Sequence, residues 1–343
     1  MPWRFIVFAD TQAPDWTNQL NNAIMAELSQ AITNEQPAFV LFGGDMVNSP
    51  LPGTTEAWMD SMQPVYQAGI PVFPAIGNHD ADAVIEIKRL LGSGLPDDGP
   101  EGEIDQTYAV THEDSLVLVL NVFTHTNLLR VNQKWVDAVL ATNTQTHVFA
   151  ISHAPAFNVF HVDCLGSYPQ QRNDFWLSLK KANCRMYFSG HDHFYDHAQI
   201  DDRDGDPDND IHQFVLGTGG AAFYNDSAYD GDNGPYNPLR VLHEQQYGYL
   251  RVEVDGLRVT ATWCRRTAPG VFTASSEVFS YSARPALRLG NTGAGFALTW
   301  ASPAVLQASP ELSGPFTNVV SATSPFALTN LVGPRLFYRL SVP

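Results

Sequence analysis

Five short polar blocks, each set where a hydrophobic run ends, constrain this chain more than any other feature. They read Asp10-Thr11-Gln12, Gly43-Gly44-Asp45, Gly77-Asn78-His79-Asp80, Ser152-His153-Ala154-Pro155 and Gly190-His191-Asp192-His193. The runs before them, Arg4 to Ala9, Phe39 to Phe42, Val72 to Ile76, His147 to Ile151 and Arg185 to Phe188, have the length and residue types of strands. Side chains placed just beyond strand ends converge in the crevice where sheet proteins hold their chemistry, so distant stretches can share one site. Carboxylate, amide and imidazole together suit divalent Mn, Fe, Zn or Mg rather than a thiolate site.

The spacing between blocks predicts helices. Leu20, Ile24, Leu28, Ala31 and Ile32 form one apolar stripe, and Trp58, Met62, Val65 and Tyr66 another. Strand and helix alternate to about residue 91, followed by a loop from Gly92 to Asp105 rich in Gly, Pro and acid. Strands are expected at Thr107 to Thr111 and Leu116 to Val122, and helices near Asn132 to Ala141 and Asn173 to Ala182. Beyond Ala198 the pattern is strand and loop, with Tyr249 to Val254 and Arg258 to Cys264 forming a hairpin about Asp255-Gly256.

Near Ser282 the composition changes: residues 283 to 343 hold no Lys or Asp and a single Glu. Runs such as Ala286 to Leu289, Phe296 to Trp300 and Leu336 to Leu340 alternate between Gly, Pro, Ser and Asn, the pattern of a small β module. The expected division is therefore a catalytic domain over 1–282 and a module over 283–343, the latter docked because so short a segment has a marginal core.

Charge narrows the partners. With 36 acidic against 19 basic residues and a net charge of -17, the chain repels a nucleic acid polymer; Lys180-Lys181 is an isolated pair. A small anionic ester drawn in by metals is compatible with it. No apolar run is long enough for a membrane span, and oligomeric state is open. Cys164 and Cys184 either pair or are buried free thiols.

The ordered blocks resemble those of the calcineurin-like metallophosphoesterase superfamily: Asp-x-His, Gly-Asp, Gly-Asn-His-Asp/Glu, a lone His after a strand, and Gly-His-x-His. The likeness covers about residues 3 to 281; Gly217-Thr218-Gly219-Gly220 and Tyr247-Gly248-Tyr249 are similar to the end of the catalytic domain in its purple-acid-phosphatase-like branch. The resemblance implies two packed mixed β-sheets flanked by helices, an αββα sandwich, with the small all-β module appended. It also implies a hydrolase of small phosphomonoesters or phosphodiesters using two divalent metal ions and a bridging hydroxide. Phe337-Tyr338-Arg339-Leu340 resembles the end of modules on many secreted bacterial proteins, which favours an extracytoplasmic or secreted setting.

By this resemblance Asp10, Gln12, Asp45 and His193 surround one metal, and Asp45, Asn78, His153 and His191 the other, with Asp45 shared and His79 protonating the leaving group. Two positions depart from the pattern. Gln12 stands where most members carry a metal-binding His, and Asn48 where relatives carry Asp or, in purple acid phosphatases, Tyr; the tyrosinate colour is thus not expected. Asn48 is expected to help orient His79, as a weaker partner for the protonated ring than an Asp, with Asp80 as the alternative group that tunes it. The contrasting reading is a metal-binding or scaffold protein with a decayed site. Taken singly, Asp10, Asp45 and Asn78 could each be a helix cap.

Other features have plain readings. His125, His161 and His197 lie near the blocks and either line the pocket or, the reading taken for each, are structural or surface residues. The acidic run from Asp201 to Asp208 lacks the Gly placement of an EF-hand and reads as a solvated turn. The stretch from Phe223-Tyr224 through Tyr229 and Tyr236 is either a lid whose aromatics meet substrate or a packed surface loop.

Overall fold

The computed structural model describes residues 1–343 except 16, 50–52, 82, 83, 85, 86, 88–93, 226, 227, 284, 286, 294, 301–303, 329–334, 342 and 343. The expectations at Ala286, Gly92 and residues 88–91 lie outside the described residues. The strands of the main body are β1 (Trp3–Phe8), β2 (Phe39–Phe42), β3 (Val72–Pro74), β4 (Tyr108–His112), β5 (Ser115–Leu120), β6 (His147–Ser152) and β7 (Met186–Ser189). They continue with β8 (Tyr195–Asp201), β9 (Ile211–Leu216), β10 (Asn237–Glu244), β11 (Gly248–Asp255), β12 (Arg258–Ala268) and β13 (Val271–Ser282). The helices are α1 (Asn22–Glu35), α2 (Thr54–Ser61), α3 (Gln63–Gln67), α4 (Gln133–Thr142) and α5 (Pro169–Lys181).

Two mixed sheets result, a six-stranded one in the order β13-β12-β11-β1-β2-β3 and a seven-stranded one in the order β10-β8-β9-β7-β6-β5-β4. Within the first, β1, β2 and β3 run parallel; within the second, β5, β6, β7 and β9 do. This shared direction matters for function, because the chain leaves β1, β2 and β3 at one edge of the first sheet and β6 and β7 at one edge of the second.

The period-two alternation of the strands places the layers. Phe5 and Val7 join Phe39, Leu41, Phe149, Ile151, Phe188 and Trp263 in the core between the sheets, whereas Ile6 and Phe8 cluster with Ile24, Leu28 and Ile32 of α1. On the far side Leu116, Leu118, Val148 and Ala150 pack with Val136 of α4 and Phe175, Trp176 and Leu179 of α5. The order is helix, sheet, sheet, helix. Phe5 and Phe39 stack at 5.0 Å with 13° between their planes, and Phe149 meets Phe5 edge-on at 5.1 Å. Truncating a ring there to Ala costs about 3–5 kcal/mol.

Local chemistry explains the helix ends. Asn21 caps α1 by accepting from Ile24 N, and Asn132 caps α4 by accepting from Trp135 N. The stripe from Trp58 to Tyr66 is two helices, because Pro64 lies in the first turn of α3 and cannot continue the preceding ladder. The β11–β12 hairpin pairs Asp255 with Arg258 about Gly256, as the Asp-Gly signal leads one to expect.

Beyond Ser282 the strands β14 (Arg288–Asn291), β15 (Phe296–Thr299), β16 (Val305–Ser309), β17 (Thr317–Asn318), β18 (Phe326–Leu328) and β19 (Phe337–Ser341) form two three-stranded sheets, β14-β15-β18 and β17-β16-β19. All three cysteines are free and buried. The acidic run is held by Lys180, whose ammonium meets Asp202 and Asp204, and by its own carboxylates accepting backbone N–H groups. Among the described residues no helix is long and apolar enough to cross a membrane.

Candidate metal centre

Three of the expected ligands sit in tight, strained turns. Asp10 (φ 60°), Asp45 (φ 59°) and His191 (φ 70°) all adopt left-handed backbone conformations directly after β1, β2 and β7. Such conformations are uncommon for residues with side chains and are kept where surrounding bonds enforce them. Here Asp10 N donates to Gly44 O at 3.0 Å, Asp10 carboxylate oxygens accept from His191 N at 3.0 and 3.2 Å, and Gly190 N donates to His153 O at 2.9 Å. The glycines of the blocks are close-approach positions. A Cβ on Gly77 would run into Asp45 Oδ1, and one on Gly190 into Asp10 Oδ2.

These turns bring all eight expected residues together. Asp10, Gln12, Asp45, His153, His191 and His193 are buried, His79 is half-buried, and Asn78 reaches in from an exposed loop. His153 Nε2 lies 3.3 Å from Asp45 Oδ2 and 3.0 Å from Asn78 Oδ1, and Asn78 Oδ1 lies 3.0 Å from His191 Nδ1. On the other side His193 Nε2 lies 3.4 Å from Asp10 Oδ1 and 3.3 Å from Gln12 Nε2, which is itself 3.2 Å from Asp45 Oδ2. Asp45 stands between the two groups.

The tautomers suit this arrangement to a cation. His153 Nδ1 lies 2.7 Å from Gly43 O and His193 Nδ1 2.9 Å from Ala222 O, so each ring donates there and, as the neutral imidazole a cation requires, turns a lone pair on Nε2 inward. At His153 that lone pair faces the Asp45 carboxylate and the Asn78 amide oxygen, which are also acceptors, and at His193 it faces the Asp10 carboxylate. Ligand atoms bound about 2.1 Å from one cation sit about 3 Å apart, which the spacings above match. Burial works against a charged His153, yet the Asp45 and Asp10 carboxylates outweigh it and raise the imidazole to about 10. That shift measures the pull of the cluster for positive charge, and a bound cation takes the proton's place. Despite its burial, Asp45 is held below the ordinary carboxylate range by the same imidazole.

Gln12 fits with one adjustment. Its Nε2 points at Asp45 and His193 while its buried Oε1 has no hydrogen-bond partner. Half a turn of the amide exchanges the two atoms, presenting the carbonyl oxygen to the cation position.

His79 is placed by its neighbours' main chain. Its N–H donates to Asp45 Oδ1 at 2.9 Å, its Nδ1 lies 2.6 Å from Asn48 O, and its Nε2 is 3.9 Å from Asp45 Oδ2. The expectation that Asn48 orients His79 thus needs correcting in its means. The Asn48 side chain instead donates to Ala13 O, Asp15 O and Asn18 O, sewing down the loop after Gln12. Asp80 accepts from Asp45 N, Met46 N and Gly77 N and so locks two ligand loops to each other. Burial, then the Asp45 charge, push its carboxyl up to about 6.

Sequence reasoning missed two supports. Asp163 Oδ1 stands 3.4 Å from His191 Nε2, opposite the nitrogen that faces Asn78. Asp192, fully buried, accepts from Phe160 N, His161 N and His161 Nδ1, fixing the loop that carries Asp163. Asp192 was visible inside its block. Nothing in the pattern around Asp163 marks it.

The secondary histidines separate. His161 packs at 4.4 Å on the His191 ring and belongs to the rim of the centre; His197 pairs with His212 and Glu277 among other strands, and His125 is exposed. Of the expected lid aromatics, Tyr224 stacks on His193 at 4.2 Å. Phe223 packs on Tyr247, Tyr229 donates to Asp196, and Tyr236 packs on Phe157 and Trp176.

A family model for calcineurin-like phosphoesterases matches residues 4–195, a span that holds all eight expected site residues. No curated protein matches the sequence. Among solved structures the chain is similar to a purple acid phosphatase from yellow lupin (Lupinus luteus) seeds, at TM-score 0.63 and 13% identity over 82% of this chain and 54% of that one. It is also similar to GAP50, the anchor in the inner membrane complex of Plasmodium, at TM-score 0.56 and 15% identity over 82% and 89%. A dimetal phosphatase from Danio rerio follows, at TM-score 0.52 and 13% identity over 82% and 99%. These likenesses establish the fold, and the chain spans 54% of the lupin protein's length.

Proposed function

The chain belongs to the calcineurin-like phosphoesterase family, and from that membership we propose a metal-dependent hydrolase of small phosphoric esters, mono- or diesters, with a dinuclear centre. The observation that carries the reading is the meeting at His153 Nε2 of Asn78 Oδ1, 3.0 Å away, and Asp45 Oδ2, 3.3 Å away, three acceptors with no donor among them when His153 is neutral and donates to Gly43 O. Asp10, Gln12, Asp45 and His193 would hold one cation, and Asp45, Asn78, His153 and His191 the second. Two divalent cations held there would supply Lewis-acid polarisation of the phosphoryl oxygens and activation of a water for attack on phosphorus.

The remaining work falls to the chain's own groups. Gly43 O and Ala222 O hold His153 and His193 in the tautomer that turns Nε2 inward. Asn48 O fixes the His79 ring at Nδ1, so the proton His79 can give to a departing alkoxide is the one on Nε2. The net charge of -17 supports a small ester over a polyanion as substrate.

A scaffold with a decayed site fits less well, because decay would be expected to disperse the ligand atoms and here they converge. The test is metal content together with hydrolysis of nitrophenyl phosphate and bis(nitrophenyl) phosphate in Mn, Fe, Zn and Mg, with Asp45→Ala as control. The expected result is two metals per chain and turnover in the native protein, with both lost in the variant. Two bound metals without turnover of any ester would establish the scaffold reading instead.

A further inference from the structure

Beside the metal centre lies an aromatic stack that no ligand role accounts for. Tyr224 lies on the His193 ring at 4.2 Å and 12°, and Phe160 lies on Tyr224 at 4.5 Å and 6°. His161 meets the edge of Phe160 at 5.0 Å while packing on His191 at 4.4 Å. Phe160 is therefore two ring spacings from one ligand and tied through His161 to another.

The outermost ring is open and rigid at once. Phe160 is 39% exposed although Tyr224 lies on it, and neighbouring Val162 is 79% exposed. Its backbone is not free to bury it. Asp192, itself 0% exposed, accepts from Phe160 N and His161 N at 3.0 Å and from His161 Nδ1 at 2.8 Å. A single exposed apolar side chain needs no explanation. An aromatic ring continuing a stack that begins on a ligand His, with its main chain bonded to a fully buried carboxylate, is a pre-organised surface that loses little entropy when a flat group settles on it.

Resting on the phosphoester reading above, we propose that Phe160 is a stacking platform selecting esters whose alcohol or second ester group carries a planar aromatic ring, a nucleoside or aryl phosphoester. The phosphoryl group sits at the metals, and the ring of the organic part lies against Phe160. Stacking of a base on an aromatic side chain is lost on truncation to Ala with an effect of about tenfold.

The experiment is calorimetric binding of phenylphosphonate and methylphosphonate to the metal-loaded full chain, in the native protein, Phe160→Ala and Phe160→Leu. The readout is the ratio of the two affinities, which needs no turnover. The expected result is a preference for the phenyl compound of about tenfold in the native protein that disappears in Phe160→Ala and falls in Phe160→Leu, which keeps apolar area without a ring face. A native protein without the preference, or a Phe160→Ala variant that keeps it, overturns the platform while leaving the phosphoester reading intact. Failure of both phosphonates to bind the metal-loaded protein overturns the phosphoester reading, and the platform with it.

Discussion

Asp163 Oδ1 stands 3.4 Å from His191 Nε2, while Nδ1 of the same ring lies 3.0 Å from Asn78 Oδ1. The carboxylate faces the nitrogen that must carry the proton if the other is to bind a cation. Supports of this kind typically change metal affinity 10- to 100-fold. Because Asp163 is exposed, solvent shields it, and Asp163→Ala should sit at the low end, about tenfold weaker binding at the position shared by Asn78, His153 and His191. Two-site calorimetric titration with Mn or Zn measures this. Equal weakening at both positions would mean that the substitution acts on the fold and not on His191.

As a ligand Gln12 would be neutral where imidazole would bind late transition metals more tightly. Gln12→His should strengthen the Asp10, Asp45 and His193 position toward Zn by on the order of tenfold, about 1.4 kcal/mol. Turnover need not rise. Unchanged Zn affinity would remove Gln12 from the ligand set.

The loops that carry the expected ligands were legible because each block follows a strand, and most of the blocks hold a glycine or an acid beside the ligand. The layers came from the family resemblance, because Phe5 to Phe8 is one continuous apolar run whose alternate residues enter separate cores only in the folded chain. Three kinds of feature were not legible. The break at Met62 turns on Pro64 beneath a stripe whose apolar spacing reads straight through it. The His79 partner is a main-chain carbonyl of Asn48, which no side-chain pattern encodes. Asp163 comes from a loop whose path is set by Asp192 from another block, a tertiary fact. β13 escaped for a different reason: it is a mostly exposed edge strand, so its burial carries little periodic signal.

The composition shift at Ser282 supports treating residues 283–343 as a separate module, and β13 ends at the same residue. A chain ending there should keep two metals and measurable turnover but be less soluble or less stable, if the module covers apolar surface. Metal content, light scattering and thermal melting of the shortened chain check this. Loss of metals from a chain that still melts cooperatively would place the boundary elsewhere.

Acid stability should be limited by His212, remote from the ligands in sequence and packed on Phe279 at 3.8 Å. Burial, then the neighbouring His197 and Arg185, hold its imidazole down to about 2. His197 lies 2.7 Å from His212 Nδ1 and is itself 3.2 Å from Glu277 Oε1. An unfolded His protonates near pH 6.5. Below that pH the unfolded chain takes up a proton the folded chain refuses, so stability is lost as pH falls and unaffected above it. The loss approaches about 1.4 kcal/mol per unit, reaching about 2.7 kcal/mol near pH 4.5. His212→Gln should flatten the dependence between pH 6 and 4 by about one proton, read from urea melts of both proteins. Parallel curves would show that His212 is not the group responsible.

His79 tests the chemistry most sharply. Its ring is held at Nδ1 by Asn48 O, its backbone N–H donates to Asp45 Oδ1, and the other groups that converge on the centre come from other residues. His79→Asn should therefore leave metal content intact while removing proton delivery, an effect typically worth ~10² to 10⁴ in rate. The loss must depend on the alcohol. A nitrophenolate departs without a proton, so its ester should keep much of its rate, whereas an alkyl ester should lose most of it. Measuring both esters at saturating metal separates the roles, since equal losses would assign His79 to holding the phosphoryl group or the loop instead of to the proton.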